Sequence, residues 1–437
     1  MLLKKYPASS IAAIAALMIT PSVWAADTLT DALTGGKANV DLQLRYEGVN
    51  QNNALQNADA TTARLRLGYT TGTFNGFGAM AEAESTTALG NKSYNSLATG
   101  NPGFGTHSVV ADPEATEINQ AYLSYSGIAN TSAKWGRQRI KLDNDRFIGN
   151  VGWRQNEQTF DAFTLVNKSL PSTTITAGYI TNVNRIFTDN AAAGNAGAAG
   201  GNHKMQSPIF NVNYKGWSFA EIVGYAYMLD YDAASAMTAF STDTYGLRLN
   251  GSTAMGGNKL LYTAEYAQQQ DGHGNATSFS TNYTLLEAGV DVTNVAVFKV
   301  GYEVLGTDTG AVTGGVVGNK SFSTPLATLH AFNGWADMFL ATPAKGLKDT
   351  YISANTKLAG INLGAVYHDY RADKTTATLT SSQLGNEWGL VATYKYDKNY
   401  TVGLKYADYK AKGTPTTTFG AGNVDTTKTW VWGAFNF

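Results

Sequence analysis

Residues 38–47 read Ala-Asn-Val-Asp-Leu-Gln-Leu-Arg-Tyr-Glu, with Val40, Leu42, Leu44 and Tyr46 alternating with Asn39, Asp41, Gln43, Arg45 and Glu47. A period of two places all the apolar side chains on one face of an extended chain, so this segment reads as a strand. The pattern recurs. Ala63, Leu65, Leu67 and Tyr69 oppose Arg64, Arg66 and Gly68, and beyond the Asn75-Gly76 turn Phe77, Ala79, Ala81 and Ala83 oppose Gly78, Met80, Glu82 and Glu84. Near the C-terminus Trp388, Leu390, Ala392 and Tyr394 alternate with Glu387, Gly389, Val391 and Thr393. A soluble sandwich also alternates, but these segments hold the pattern for about ten residues, the span of a tilted membrane strand. Their apolar faces often end in Tyr, Trp or Phe, as at a bilayer interface.

Composition agrees with a thin wall between lipid and water. Only 15% of the 437 residues are charged, against about 25% in ordinary soluble proteins. The chain has 46 Gly and 24 Tyr, which suit tight turns, a crowded interior and interfacial girdles. No apolar run approaches the roughly 20 residues of a membrane helix. With no Cys, disulfide scaffolds and cysteine-ligated metals are excluded. A net charge of −1 gives no basic field for nucleic acid.

Lys4 and Lys5, the apolar run Ile11 to Ile19, Pro21 and then Val23-Trp24-Ala25 have the layout of a secretory signal peptide. The expected cut follows Ala25, giving a signal peptide over residues 1–25 and one barrel domain over 26–437. Cleavage takes Lys4 and Lys5 from the 32 basic residues, leaving 30 against 33 acidic ones.

The expected strands begin near Asn39, Thr61, Phe74, Thr116, Thr131, Thr159, Thr173, Pro208, Trp217, Ser241, Asn258, Phe279, Val295, Asp349, Ile361, Gly385, Tyr400 and Thr427. They define an all-β fold, a transmembrane antiparallel up-and-down β-barrel of about 18 strands. The period is blurred over 131–167 and 217–229. Connections alternate in length: short links such as Lys215-Gly216 and Ala359-Gly360 are assigned to the periplasm, and the long links 86–115, 142–158, 184–207 and 306–348 to the outside. The expected location is the bacterial outer membrane, with lipid and lipopolysaccharide around the wall.

The last residues, Trp430-Val431-Trp432-Gly433-Ala434-Phe435-Asn436-Phe437, resemble the closing strand of bacterial outer-membrane proteins. That resemblance implies that Phe435 and Phe437 are read by the barrel assembly machinery. Two further segments resemble the alginate-export-like outer-membrane porins: Gly136-Arg137-Gln138-Arg139 with Asn144-Asp145-Arg146-Phe147-Ile148-Gly149-Asn150-Val151-Gly152-Trp153-Arg154-Gln155 and Thr159-Phe160-Asp161, and Thr324 through Leu340. The resemblance implies an 18-stranded barrel and a channel for polar or anionic saccharides. A uniformly cationic pore is not expected here, since acidic residues outnumber basic ones.

Between residues 131 and 160 lie Lys134, Arg137, Arg139, Lys141, Arg146 and Arg154, against Asp143, Asp145 and Glu157. Arg64, Arg66, Arg137, Arg139 and Arg154, with Glu82, Glu84 and Asp161, are the candidate pore constriction, a charged ring able to order polar solutes. The alternative is a set of internal salt bridges, since buried charges normally pair. In the longest loop, Leu326, Leu329, Ala336 and Phe339 recur at roughly helical spacing. Helical turns carrying Leu329, His330, Phe332, Trp335, Asp337 and Phe339 are expected to fold into the mouth or lumen; the alternative is an outer cap. The five histidines show no ligand spacing, and no cofactor or metal is expected. No nucleophile–base set points to an enzyme.

The function expected is a passive channel for small polar or anionic solutes, saccharides among them. The alternative is a dedicated exporter of an anionic polysaccharide such as alginate. Oligomeric state is left open.

Overall fold

The computed structural model describes residues 26–191, 200–375, 382–412 and 423–437. The expected signal peptide and residues 192–199 lie outside the described residues. A short helix α1 (Leu29–Thr34) precedes the strands. The strands are β1 (Lys37–Gln51), β2 (Ala58–Thr70), β3 (Phe77–Ala88), β4 (Ala115–Tyr125), β5 (Thr131–Gln138), β6 (Thr159–Asn167), β7 (Thr173–Asn184), β8 (Asn202–Tyr214), β9 (Ala220–Leu229), β10 (Thr242–Met255), β11 (Asn258–Asp271), β12 (Thr277–Ser278), β13 (Ser280–Val292), β14 (Ala296–Leu305), β15 (Thr307–Thr313), β16 (Val316–Ser321), β17 (Leu347–Leu358), β18 (Ile361–Arg371), β19 (Gln383–Lys395), β20 (Tyr400–Ala411) and β21 (Thr426–Asn436).

Eighteen of these form one antiparallel sheet, each paired with its sequence neighbour, and β1 pairs with β21 to close it. Closure removes the sheet edges, which lipid could not hydrogen-bond. The remaining three, β12, β15 and β16, form a small separate sheet beside the long outer loop, where no strand was expected.

The alternation sorts side chains as the sequence implies. Leu42, Leu44 and Tyr46 are exposed on the outer wall, whereas Arg45 and Glu47 between them are 1% exposed inside. The same holds for Trp388 and Leu390 outside against Glu387 inside, and for Leu404 and Tyr406 outside against Lys405 inside. Most strand starts fall within a few residues of expectation. β8 begins six residues before Pro208, because a register shift opposite Ile180 and Asn182 lets pairing continue past the proline.

A bulge on β4 has a direct consequence for the interior. Glu82 pairs with Gln120 and Ala83 with Ile118, so Asn119 is the extra residue. Both Asn119 and Gln120 then turn inward, and their amides donate to Glu82 Oε1 at 2.8 and 3.2 Å. The barrel is filled mainly by two outer loops, 139–158 between β5 and β6 and 322–346 between β16 and β17, and the loop between β3 and β4 adds the buried Tyr94, Val110 and Asp112.

Candidate functional site

The first loop enters because the wall supplies what its backbone lacks. Arg64 Nη1 donates to the carbonyl of Arg154 at 3.4 Å and Arg66 Nη2 to that of Gln155 at 3.2 Å. Gln155 Nε2 donates to Thr62 Oγ1 at 2.8 Å, and its backbone N–H to Asp112 Oδ1 at 2.9 Å. Irregular backbone inside a barrel is tolerated only when its polar groups are satisfied in this way.

Ion pairs lock the same loop. Arg154 Nη1 lies 2.9 Å from Glu47 Oε2 and its Nη2 lies 3.1 Å from Asp337 Oδ2. Arg45 pairs with Asp112 and donates to the carbonyl of Trp153. Arg139 bridges Glu82 and Glu157, Arg66 pairs with Glu84, and Arg64 Nη2 lies 2.5 Å from Asp41. Burial alone would raise the Asp112 carboxyl, but Arg45 and Arg154 hold it below its usual range. Glu157 is likewise buried, and Arg66 and Arg139 hold it low.

The second loop packs on the first and on the opposite wall. Gly149 N–H donates to the Leu326 carbonyl at 2.9 Å, and Gln158 Nε2 to the same carbonyl at 3.0 Å. Glu387 on β19 receives the backbone N–H groups of Trp335 at 2.5 Å and Ala336 at 3.1 Å. The residue before them must be glycine. Gly334 has φ +87, and a Cβ there would lie 2.2 Å from Tyr370 Oη and 2.3 Å from Glu387 Oε2. Asn333 Nδ2 donates to Glu303 at 2.6 Å and to Asp349 at 3.2 Å, while Arg146 Nε pairs with Glu303 at 2.8 Å.

His330 sits at the centre. Its Nδ1 is 2.7 Å from Asp337 Oδ1 and its Nε2 is 3.1 Å from Lys405 Nζ. The ammonium can only donate, so Nε2 accepts and Nδ1 carries the proton toward Asp337. Burial pushes the His330 ring down to about 3, with Lys405 adding to the drop against the pull of Asp337. Asp337 is buried too, yet His330, Lys428 and Arg154 hold its carboxyl well below the usual range. The ring stacks on Trp153 with centroids 4.8 Å apart, and Lys405 Nζ lies 3.8 Å from the Trp153 centroid and 4.4 Å from that of Trp335.

The expected helical turns in this loop reduce to a single 3-10 turn, Leu329–Ala331. Pro325, Gly334 and the left-handed Asn333 and Asp337 interrupt the spacing. The apolar residues serve as separate anchors. Phe332 lies beneath Arg146, Phe339 packs 4.5 Å from the Tyr370 ring, and Leu329 faces a cavity at the outer mouth.

Of the expected constriction residues, Arg64, Arg66, Glu82, Glu84, Arg139 and Arg154 converge inside. Arg137 and Asp161 do not. They share a face with Trp135 and Phe163, which are 66% and 47% exposed on the outer wall, and pair with each other there at 2.8 Å. Asn182 and Asn184 support Asp161 on that outer face. Counting on by two from the aromatic Trp135 would have placed Arg137 on the outer face; Arg139 has the same parity and points inward only because β5 ends at Gln138 and the chain turns into the bore. Residues not singled out beforehand include Glu47, Asp112, Trp153, Glu387, Lys405 and Lys428. Glu47, Glu387 and Lys405 stood on the polar faces of legible strands; Asp112 lies in an irregular loop with no pattern to reveal it.

Below the loops lies a cavity of about 580 Å³ lined by Asp41, Arg64, Arg66, Glu82, Arg139 and Glu157, reaching Asn399 and Phe437 at the periplasmic end. Three guanidinium groups and three carboxylates share its wall, with the Lys398 ammonium at the periplasmic end, so both signs of charge line it.

A closed 18-stranded wall, apolar outside and charged within, with loops folded into its bore, defines an integral β-barrel of the bacterial outer membrane. The profile of the family described as "Alginate export" matches residues 36–303, and the chain belongs to that family. No curated protein matches it. Among solved structures it is similar to Acinetobacter baumannii OccAB2, at 13% identity and TM-score 0.69 over 93% of this chain and 99% of that one. It is also similar to A. baumannii OccAB4, at 13% identity and TM-score 0.67 over 92% and 98% of the two chains. Pseudomonas aeruginosa OpdK, solved with vanillate, gives 14% identity and TM-score 0.65 over 92% and 98%.

Proposed function

We propose that the protein is a passive channel for small polar and anionic solutes, with the two in-folded loops setting its bore. The observation that carries this reading is the mixed-charge wall beneath the loops, where Arg64, Arg66 and Arg139 face the same cavity as Asp41, Glu82 and Glu157. Such a wall offers a polar solute hydrogen-bond donors and acceptors at every step without trapping one sign of charge. The ion pairs also hold the loops, so the holding and lining roles coincide in the same residues. OpdK, with its bound vanillate, is consistent with passage of a small organic anion through a wall of this plan. The role is passage rather than catalysis. Residues 1–25 direct export, Phe435 and Phe437 engage the assembly machinery, and lipopolysaccharide contacts the outer rim, where Arg137 and Asp161 lie.

Family membership favours a second reading, export of an anionic polysaccharide. Planar-bilayer recording with ion selectivity, repeated with neutral sugars and oligouronates, separates the two. Ohmic conductance without saturable block is expected. Saturable block by oligouronates selects the exporter, and no conductance overturns both.

A further inference from the structure

A second cavity, of about 270 Å³, lies at the outer mouth above the 322–346 loop. Arg185 and Lys320 both line it, together with the polar Ser323 and Thr324 and the apolar Phe240 and Leu329. Neither cation has a carboxylate partner among the described residues. Arg185 is only 8% exposed, and its Nη1 meets no acceptor. Its guanidinium has the Phe187 ring centroid at 5.8 Å. Lys320 donates to the Ala239 carbonyl at 2.6 Å and lies 5.4 and 5.5 Å from the Phe240 and Phe279 ring centroids, and it makes no ion pair with Asp308, which stands opposite it across β15 and β16 and accepts instead from the Ser280 and Gly310 N–H groups.

This contrasts with the rest of the interior. Arg45, Arg64, Arg66, Arg139, Arg146 and Arg154 all meet carboxylates. A guanidinium stays charged at any physiological pH and is poorly tolerated when buried without a counter-charge. A pocket that keeps two cations unneutralised, one of them buried, is shaped for an anion brought from outside. Beside polar Asn319, Ser321 and Thr342, its wall carries an apolar side made by Phe240, Leu329 and Leu340, which suits an anion with a compact apolar body over a fully hydrated one.

We propose that this cavity is an anion-binding site of the extracellular mouth, in which Arg185 and Lys320 hold the carboxylate of a small organic acid whose apolar body rests on Phe240 and Leu329. The site rests on the channel reading and deepens it by naming the class of solute captured before the loops.

The test uses purified full-length barrel in detergent, with benzoate as probe, benzyl alcohol as its neutral counterpart and inorganic phosphate as a hydrated anion, titrated by calorimetry. Benzoate is expected to bind saturably. Benzyl alcohol and phosphate are expected to bind at least about tenfold more weakly, the scale of one lost charge-assisted contact. R185M is expected to abolish binding and K320Q to weaken it about tenfold, for the same reason. R185M should still fold, since it removes an unpaired charge; heat-modifiable migration checks this. If R185M does not fold, K320Q carries the test, because Lys320 lies in the outer loop and not in the wall. Benzoate affinity unchanged in K320Q, or equal for benzoate and benzyl alcohol, overturns the site. Phosphate binding as tightly as benzoate overturns its assignment to organic acids. Normal conductance without benzoate binding sinks the site and leaves the channel standing; binding without conductance does the reverse.

Discussion

The ammonium of Lys428 in β21 lies 2.6 Å from Oδ2 of Asp337, so the last strand of the wall grips the loop that fills the bore. The same carboxylate is shared with Arg154 and His330. Both loops and the wall meet at this carboxylate, as they do at Glu303 with Arg146 and Asn333.

D337A would leave the buried Lys428 without its anion and Arg154 held from the Glu47 side alone. Removing one partner of a buried ion pair costs about 3–5 kcal/mol, enough to unseat the loop but not a barrel held by its strands. Single-channel conductance is expected to rise, and the 322–346 loop to become cleavable by added protease while heat-modifiable migration is kept. Wild-type conductance with a protected loop would show that this loop does not set the bore.

The docked loop weakens in acid. The His330 ring sits at about 3, below its ordinary 6.5, because burial disfavours its charged form. Between those values an undocked loop takes up a proton that the docked one refuses, so docking loses up to about 1.4 kcal/mol per pH unit as pH falls. Full stability is present above 6.5 and is lost progressively toward 3. Asp337, held well below its ordinary value, acts in the same direction at still lower pH. Conductance is therefore expected to increase from pH 7 to pH 4, and H330Q to flatten that response. A pH-independent wild-type channel would contradict it.

R139Q and R137Q separate inside from outside. Arg139 lines the lower cavity, whereas Arg137 stands on the outer face with Trp135. Losing one of three guanidinium groups around the cavity should shift the reversal potential toward cation preference in R139Q. R137Q should leave it at the wild-type value. Equal shifts would mean that the strand parity assigned to β5 is wrong.

Gly334 is the tightest backbone position in the bore. G334A places a Cβ 2.2 Å from Tyr370 Oη at a φ of +87, where strain alone is worth about 1–3 kcal/mol. Hydrogen exchange of the Trp335 and Ala336 amides, now held by Glu387, should accelerate. G314A at the outer hairpin tip meets nothing within 4 Å, so it should leave that exchange unchanged.

The wall was legible because lipid enforces a period of two on each strand, and Leu42, Leu44 and Tyr46 could fall only on one side. Arg45, Arg64 and Glu82 were then bound to point inward. Legibility failed where period two fails. β5 and β6 are only eight and nine residues long, too short to show their parity clearly, so charge density alone grouped Arg137 and Asp161 with the interior. Inside the second loop, contacts with Glu387 and Lys405 override local spacing, and a pattern that suggested helix became separate anchors for Phe332, Trp335 and Phe339. The unpaired state of Arg185 had no sequence signal, since it depends on what two distant segments, around Met237 and Phe240 and between Asn319 and Ala344, bring to its cavity.

β1 and β21 meet along the join that closes the sheet, with Glu47 opposite Trp430 and Arg45 opposite Trp432. Arg154 of the first loop is fastened to Glu47 on one side of that join, and Asp337 of the second to Lys428 on the other. Arg154 also pairs with Asp337, so the run Glu47–Arg154–Asp337–Lys428 crosses the seam through the bore, and the packed interior acts as a staple over the one place where the cylinder is joined.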